Sequence, residues 1–196
     1  MANDLTYLIA SRICHDLISP LGAIGNGVEL LELSGNGSGP EMELIKESVE
    51  SAKARIKFFR VAFGSAGPDQ VMTQMECNST LADINVNGRI KFTWRVEGSV
   101  PRADVRMAFL TLICIENAMP LGGEIKVDRT QGSWVFEAIG SRFSFVTELW
   151  NSLGDPAAHT NRRAADVQFA LLAQHLADAA KTAKWTETND TFLLRY

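Results

Sequence analysis

Ala10-Ser11-Arg12-Ile13-Cys14-His15-Asp16-Leu17-Ile18-Ser19-Pro20-Leu21 is the stretch on which the reading of this chain turns. Around it, Leu5, Leu8, Ile9, Ile13, Leu17, Pro20, Ile24, Val28 and Leu31 recur every three or four positions. At about 100° per residue they mostly gather on one side of a helix. His15 falls roughly 140° from the centre of that stripe. Its neighbours at helical spacing are Ser11, Arg12, Ile18 and Ser19, three or four residues away and therefore on the same face. The imidazole is expected in a shallow, largely polar setting that an approaching protein can cover.

The helix carrying this stretch is predicted from the cap pair Asn3-Asp4 to about Leu33. Ser34-Gly35-Asn36-Gly37-Ser38-Gly39-Pro40 then breaks it. A second helix is expected after Pro40, with Glu41 and Glu43 in its first turn, where carboxylates favour the macrodipole. Ile45, Val49, Ala52, Ile56, Phe59 and Phe63 alternate steps of four and three, a heptad-like seam. Two helices joined by a short glycine-rich loop cannot surround such long stripes alone. A second copy of the hairpin is the economical cover, so the chain is expected to form a homodimeric four-helix bundle.

Gly64-Ser65-Ala66-Gly67-Pro68-Asp69 is the expected boundary between a hairpin domain, residues 1–66, and a second domain, residues 67–196. Beyond it the pattern turns α/β. A short helix is expected near Ser79 to Ile84, a strand at Ile90 to Val96, and a buried helix from about Ala103 to Ala118. Glu124 to Thr130 and Ser133 to Ile139 flank Gln131-Gly132 as a hairpin. Helices near Phe145 to Leu153 and Arg162 to Thr182 follow, then a terminal hairpin, Ala183 to Glu187 and Thr191 to Tyr196, around Asn189-Asp190. The fold class is α+β.

With 196 residues, 46% of them hydrophobic, the chain can bury a sizeable core. A formal charge of −4 without any basic block argues against nucleic-acid binding, which needs clustered Lys and Arg. No signal-peptide core and no apolar run of about 18 residues is present, so the expected location is the cytoplasm. Cys14, Cys77 and Cys114 are odd in number and lack C-x-x-C spacing. They read as reduced structural thiols, not as a disulfide frame or zinc site. His159 and His175 have no partnered motif and no H-x-x-x-H spacing, and read as structural.

His15-Asp16-Leu17-Ile18-Ser19-Pro20-Leu21 resembles the H-box of sensor histidine kinases, in which a phosphorylated His precedes an acidic residue and, five positions on, a proline. With the flanking Ala10 to Ile24, Asn26-Gly27 and Glu29, the stretch is similar to the ChpT-type histidine phosphotransferases of alphaproteobacteria. The resemblance covers the chain in order, a bundle hairpin first and a degenerate kinase-like α/β sandwich second.

The chemistry suits those residues. Phosphoryl transfer to histidine needs a neutral imidazole, and histidine titrates near 6.5. Asp16 can hold the other ring N–H, fixing the tautomer and supporting the charge that develops during attack. Arg12 is a candidate to neutralise the transferring phosphoryl group. Ser11 and Ser19 are candidates to contact it or the receiver, and Ile18, Leu21 and Gly22 to supply receiver-facing surface. Pro20 removes one helical hydrogen bond and allows a kink beyond the site. Positioning is the main contribution, since phosphoryl transfer leaves little covalent work to the protein.

Histidine kinases bind ATP through an N-box, a D-x-G-x-G segment and a glycine-rich lid. Leu112-Ile113-Cys114-Ile115-Glu116-Asn117-Ala118, followed by Gly122-Gly123-Glu124-Ile125-Lys126-Val127, resembles the N-box helix and its following strand. Asn117 matches the second N-box asparagine, but Ile113 stands in place of the first. Ala138-Ile139-Gly140-Ser141-Arg142 has no adenine-reading aspartate, and Thr160 to Phe169 has no lid glycines. No nucleotide and no cofactor is therefore expected. The resemblance implies a phosphorelay protein: His15 takes its phosphoryl group from a receiver aspartate of a hybrid histidine kinase and passes it to receiver aspartates of response regulators, with Mg²⁺ on the receiver. The rivals are an active ATP-dependent histidine kinase and a non-enzymatic dimeric adaptor that binds response regulators.

Overall fold

The computed structural model describes residues 2–34, 39–86, 88–155 and 163–196, with side chains in the first helix described only in part. Helix α1 spans Ala2–Ser34 and runs unbroken through Pro20. Helix α2 spans Pro40–Ala62, entered through Gly39, with Pro40 in its first turn and Glu41 and Glu43 beside its N-terminus. The two helices pack against each other along the hairpin. Gly27 of α1 is buried against α2, where a Cβ would strike the Ile45 side chain.

The C-terminal part consists of β1 (Val71–Thr73), α3 (Gln74–Asn85), β2 (Ile90–Trp94), β3 (Ser99–Pro101), α4 (Arg102–Ala118), β4 (Gly123–Thr130), β5 (Ser133–Ile139), α5 (Thr147–Asn151), α6 (Val167–Asp178), β6 (Lys184–Glu187) and β7 (Thr191–Arg195). Five strands form one sheet in the order β2-β4-β5-β7-β6. The β2–β4 pair is parallel, with Ile90 opposite Gly123, and the other pairs are antiparallel. β1 and β3 form a separate antiparallel ribbon.

Alternation gives the sheet one apolar face. Ile90, Phe92, Trp94, Ile125, Val127, Trp134, Phe136, Ala138, Phe192 and Leu194 are all buried. The residues between them form the polar face, where Lys126 and its register partner Glu137 approach to 3.4 Å and Thr93 donates to Glu124 at 2.9 Å. The fold is thus α+β, a helical hairpin followed by an α/β sandwich. Gln131 and Gly132 turn the β4–β5 hairpin, both at positive φ (51° and 82°), the geometry two-residue hairpins favour.

Three expected elements need correction. α3 begins at Gln74, five residues before the expected Ser79. Thr73 Oγ1 accepts from the Glu76 N–H while Glu76 accepts from the Thr73 N–H, a capping box that starts the helix early. Instead of one helix from Phe145 to Leu153, α5 covers Thr147–Asn151 and tightens into a 3-10 turn, Ser152–Gly154. Instead of Arg162 to Thr182, α6 runs Val167–Asp178, preceded by a 3-10 turn, Ala164–Asp166. It stops where Ala180 takes a positive φ of 53°.

The seam expected on α2 also divides. Ile45, Val49 and Ala52 are half-buried and Ile56 is 44% exposed, while Ala54, Phe58, Phe59, Val61 and Ala62 are buried. The C-terminal half of α2 turns a different face inward because it enters the core of the C-terminal part. There Phe58 meets Phe92 and Phe109, with ring centroids 6.1 and 5.0 Å away.

Candidate functional site

On α1, Arg12, Asp16 and Ser19 stand at helical spacings of four and three and share one flank. The Arg12 Nε donates to Asp16 Oδ2 at 3.1 Å. His15 is held within the same turn by the α1 backbone. The side chains of His15, Ser11 and Ile18 lie outside the described residues, as do the Cys14 side chain and all of His159. Leu21 is 59% exposed, and Gly22 is exposed with open space around it.

Arg12, Asp16 and Ser19 line a cleft of about 300 Å³ whose other walls are Arg55 of α2, Arg89 before β2, and Glu116 and Asn117 at the end of α4. Arg55 and Glu116 form a two-pronged ion pair, Nη1 to Oε2 at 3.3 Å and Nη2 to Oε1 at 3.4 Å. Arg89 donates through Nη2 to the Glu116 carbonyl at 3.0 Å and through Nε to the Met119 carbonyl at 3.3 Å. Both carbonyls also accept backbone N–H groups, from Met119 at 3.1 Å and Gly122 at 3.0 Å, so Arg89 adds a second donor to each at the end of α4. Three guanidinium groups face two carboxylates, so the cleft carries one positive charge in excess. Such a wall favours an anionic group brought up by a partner.

A second cleft, about 400 Å³, shares Arg89 and Asn117 with the first and continues to Ser144, Trp150, Asp166 and Phe169. Its wall includes Cys114, whose thiol burial pushes well above its ordinary range. Asp166 is buried and accepts from Arg163 Nε at 2.7 Å. The Asn117 amide donates to the Ala165 carbonyl at 3.4 Å. Arg12 Nη1 donates to the same carbonyl at 2.6 Å, so the α1 flank is tied directly to the turn preceding α6.

The sequence singled out Arg12, Asp16 and Ser19, and these converge on one cleft. Leu21 and Gly22 are exposed and do not line it. Arg55, Arg89 and Ala165 were not singled out. Arg55 meets a partner 61 residues away and Arg12 one 153 residues away, separations at which no local pattern operates. Glu116 stands in the N-box-like stretch, and that was its only signal.

The family model described as the histidine phosphotransferase C-terminal domain matches residues 74–191. The protein phosphotransferase ChpT of Brucella abortus (strain 2308) is 41% identical over 136 residues, which are 67% of this chain and 63% of that protein. The match therefore spans less than two thirds of that relative. A solved structure of a bacterial phosphotransferase superposes over 100% of this chain and 96% of its own, with a TM-score of 0.84 and 28% identity.

Proposed function

This chain belongs to the histidine phosphotransferase family, whose C-terminal domain it carries over residues 74–191, and from that premise we propose that it relays phosphoryl groups between proteins of a two-component system, with His15 as the phosphoacceptor. The carrying observation is the H-box His15 to Leu21 on a helix whose flank, Arg12, Asp16 and Ser19, opens onto a cleft of net positive charge. The donor is a phosphoaspartate on the receiver domain of a hybrid histidine kinase. The acceptors are receiver aspartates of response regulators.

In the first half of the relay one imidazole nitrogen attacks phosphorus in line as the bond to the aspartyl oxygen breaks; in the second an acceptor carboxylate attacks the same phosphorus as the P–N bond to the imidazole breaks. Asp16 orients the ring by accepting from its other N–H. The Mg²⁺ that such receivers use sits beside their own aspartate, and this chain supplies no cofactor. Ser11, Ser19, Ile18, Leu21 and Gly22 provide the surrounding contact surface.

The hairpin, residues 1–66, is the dimerisation and transfer unit in this reading, and residues 67–196 are a kinase-like domain without nucleotide. Leu21, Val28, Leu30 and Leu33 on α1 and Leu44 and Ile56 on α2 are exposed, Leu33 by 85%. A second copy laid along them completes a four-helix bundle. The place of action is the cytoplasm. No described helix is long and apolar enough to cross a membrane.

Incubating the chain with a receiver carrying labelled phosphoaspartate tests the proposal. Acid-labile label on the wild type and none on His15→Ala is expected. Label acquired directly from ATP would make the chain a kinase, and binding without label would make it an adaptor. Light scattering of the purified chain measures the dimer.

A further inference from the structure

Besides the packing of Phe58, the Lys57–Asp83 ion pair and the Arg102 Nη2 bond to the Arg60 carbonyl, two guanidinium contacts join the hairpin to the C-terminal part beside the transfer site. One is Arg12 Nη1 to the Ala165 carbonyl at 2.6 Å. That carbonyl also accepts from Gln168 Nε2 at 3.0 Å and Asn117 Nδ2 at 3.4 Å. Gln168 is fully buried, so the acceptor is held from the core side. The other contact is the fork between Arg55 and Glu116. Glu116 is 12% exposed at its side chain, and Arg55 lies over the Phe59 ring with its Cζ 5.8 Å from the centroid.

Resting on the function proposed above, we propose that these contacts form a two-point clamp fixing the rotation and tilt of α1, and that Arg12 and Arg55 are positioning residues for phosphoryl transfer at His15. A single anchor leaves a helix free to turn about it. The core already roots the C-terminal half of α2 through Phe58 and Phe59, and Arg55 extends that hold to the level of the site. Arg12 gives α1 its own tie on the α4–α6 side, so that this freedom is restricted. In-line transfer is sensitive to displacements of about 1 Å, so the clamp acts on the transfer step more than on receiver capture. Arg12 already gives Nε to Asp16 and Nη1 to Ala165, which uses its planar fork as a bracket. In this arrangement the C-terminal part contributes rigidity to the acceptor helix.

The test measures single-turnover transfer from a phosphorylated receiver to the full-length chain against receiver concentration, for Arg55→Glu, Glu116→Arg and the double reversal. The single reversals are expected to lower the maximal rate by about tenfold or more. Because they change the cleft charge in opposite senses, they should also move the half-saturating receiver concentration in opposite directions. The double reversal, which restores that charge, is expected to recover most of the loss in rate. Singles that keep the maximal rate, or a double that recovers nothing, would overturn the proposal. If a reversal fails to fold, Glu116→Gln preserves shape and is expected to lower the maximal rate in the same way, and an unchanged maximal rate in that variant would overturn the proposal.

Arg12→Lys separates bracket from charge. It is expected to be as slow as Arg12→Gln, whereas wild-type speed in the lysine variant assigns Arg12 to charge neutralisation and overturns its positioning role. Should the wild type acquire no phosphoryl group, the relay reading fails by itself. The clamp is then read from hydrogen exchange in α1, expected to rise in the single reversals and return in the double, and unchanged exchange refutes it.

Discussion

Phe58 of α2 and Phe109 of α4 pack with ring centroids 5.0 Å apart, and neither exposes any surface. One ring comes from the hairpin and the other from the central helix of the α/β part. Trp94 continues the stack, 6.0 Å from Phe109, and Trp134 lies 5.5 Å beyond. The hairpin is therefore rooted in the same apolar core that supports the sheet.

Phe58→Ala is expected to cost about 3–5 kcal/mol, the range for a buried aromatic truncated to alanine. Because the cavity lies where both parts meet, hairpin helicity and tryptophan fluorescence should be lost together in urea. A fragment of residues 1–66 should be less helical than the same segment in the full chain, since Ala54, Phe58, Phe59 and Val61 would face water. Separate transitions in the full-length variant would show that the two parts fold independently.

Periodicity located the hairpin, the central helix and both antiparallel hairpins, because in each the apolar spacing of 3.6 or 2 is what the core selects. It missed the start of α3, where Thr73-Gln74-Met75-Glu76 spells a capping box that local reading could have used. It misjudged α2 for a deeper reason: Ile56 fits the heptad, yet Phe58 is the residue the core accepts. A helix serving two partners along its length has two inward faces, and one period cannot report both. The parallel β2–β4 pairing and the Arg55–Glu116 contact join residues far apart in sequence, and nothing local encodes them.

Gly122 links α4 to β4 with φ at 79°, in the region that side chains disfavour, and a Cβ there would fall on the Arg89 carbonyl. Gly122→Ala should destabilise the chain by at least about 1–3 kcal/mol, the cost of a strained backbone residue. The displaced Arg89 also caps α4, so the end of that helix should lose hydrogen-exchange protection. A urea midpoint equal to that of the wild type would refute this.

Cys77 and Cys114 are free and buried, and burial pushes the Cys77 thiol up to about 12 and that of Cys114 also upward. Thiolate is the reactive form. In a Cys14→Ser background the native chain should therefore resist a disulfide reagent at pH 8 and expose both thiols on unfolding. Above pH 9, the ordinary thiol value, the unfolded chain loses protons that the folded chain keeps, so stability should fall as pH rises further. Rapid native labelling would place these thiols nearer solvent than the packing allows.

His175 of α6 sits beside Arg106 of α4, whose Nη2 lies 3.5 Å from His175 Nδ1. Since arginine only donates, Nδ1 accepts, and the contact requires the neutral ring. Burial, and after it the Arg106 charge, lower the imidazole below 6.5, with Asp178 opposing. Between that lowered value and 6.5 the unfolded chain binds more protons than the folded one, so stability rises with pH across this interval. Above 6.5 the ring is neutral in both states and the dependence vanishes; as pH falls toward the lowered value the stabilisation is lost. His175→Gln should flatten the pH dependence of the urea midpoint just below pH 6.5 relative to the wild type, while leaving the carboxylate-driven loss at lower pH in place. An equal slope in both proteins would mean that the imidazole titrates normally and that the Arg106 contact does not hold it neutral.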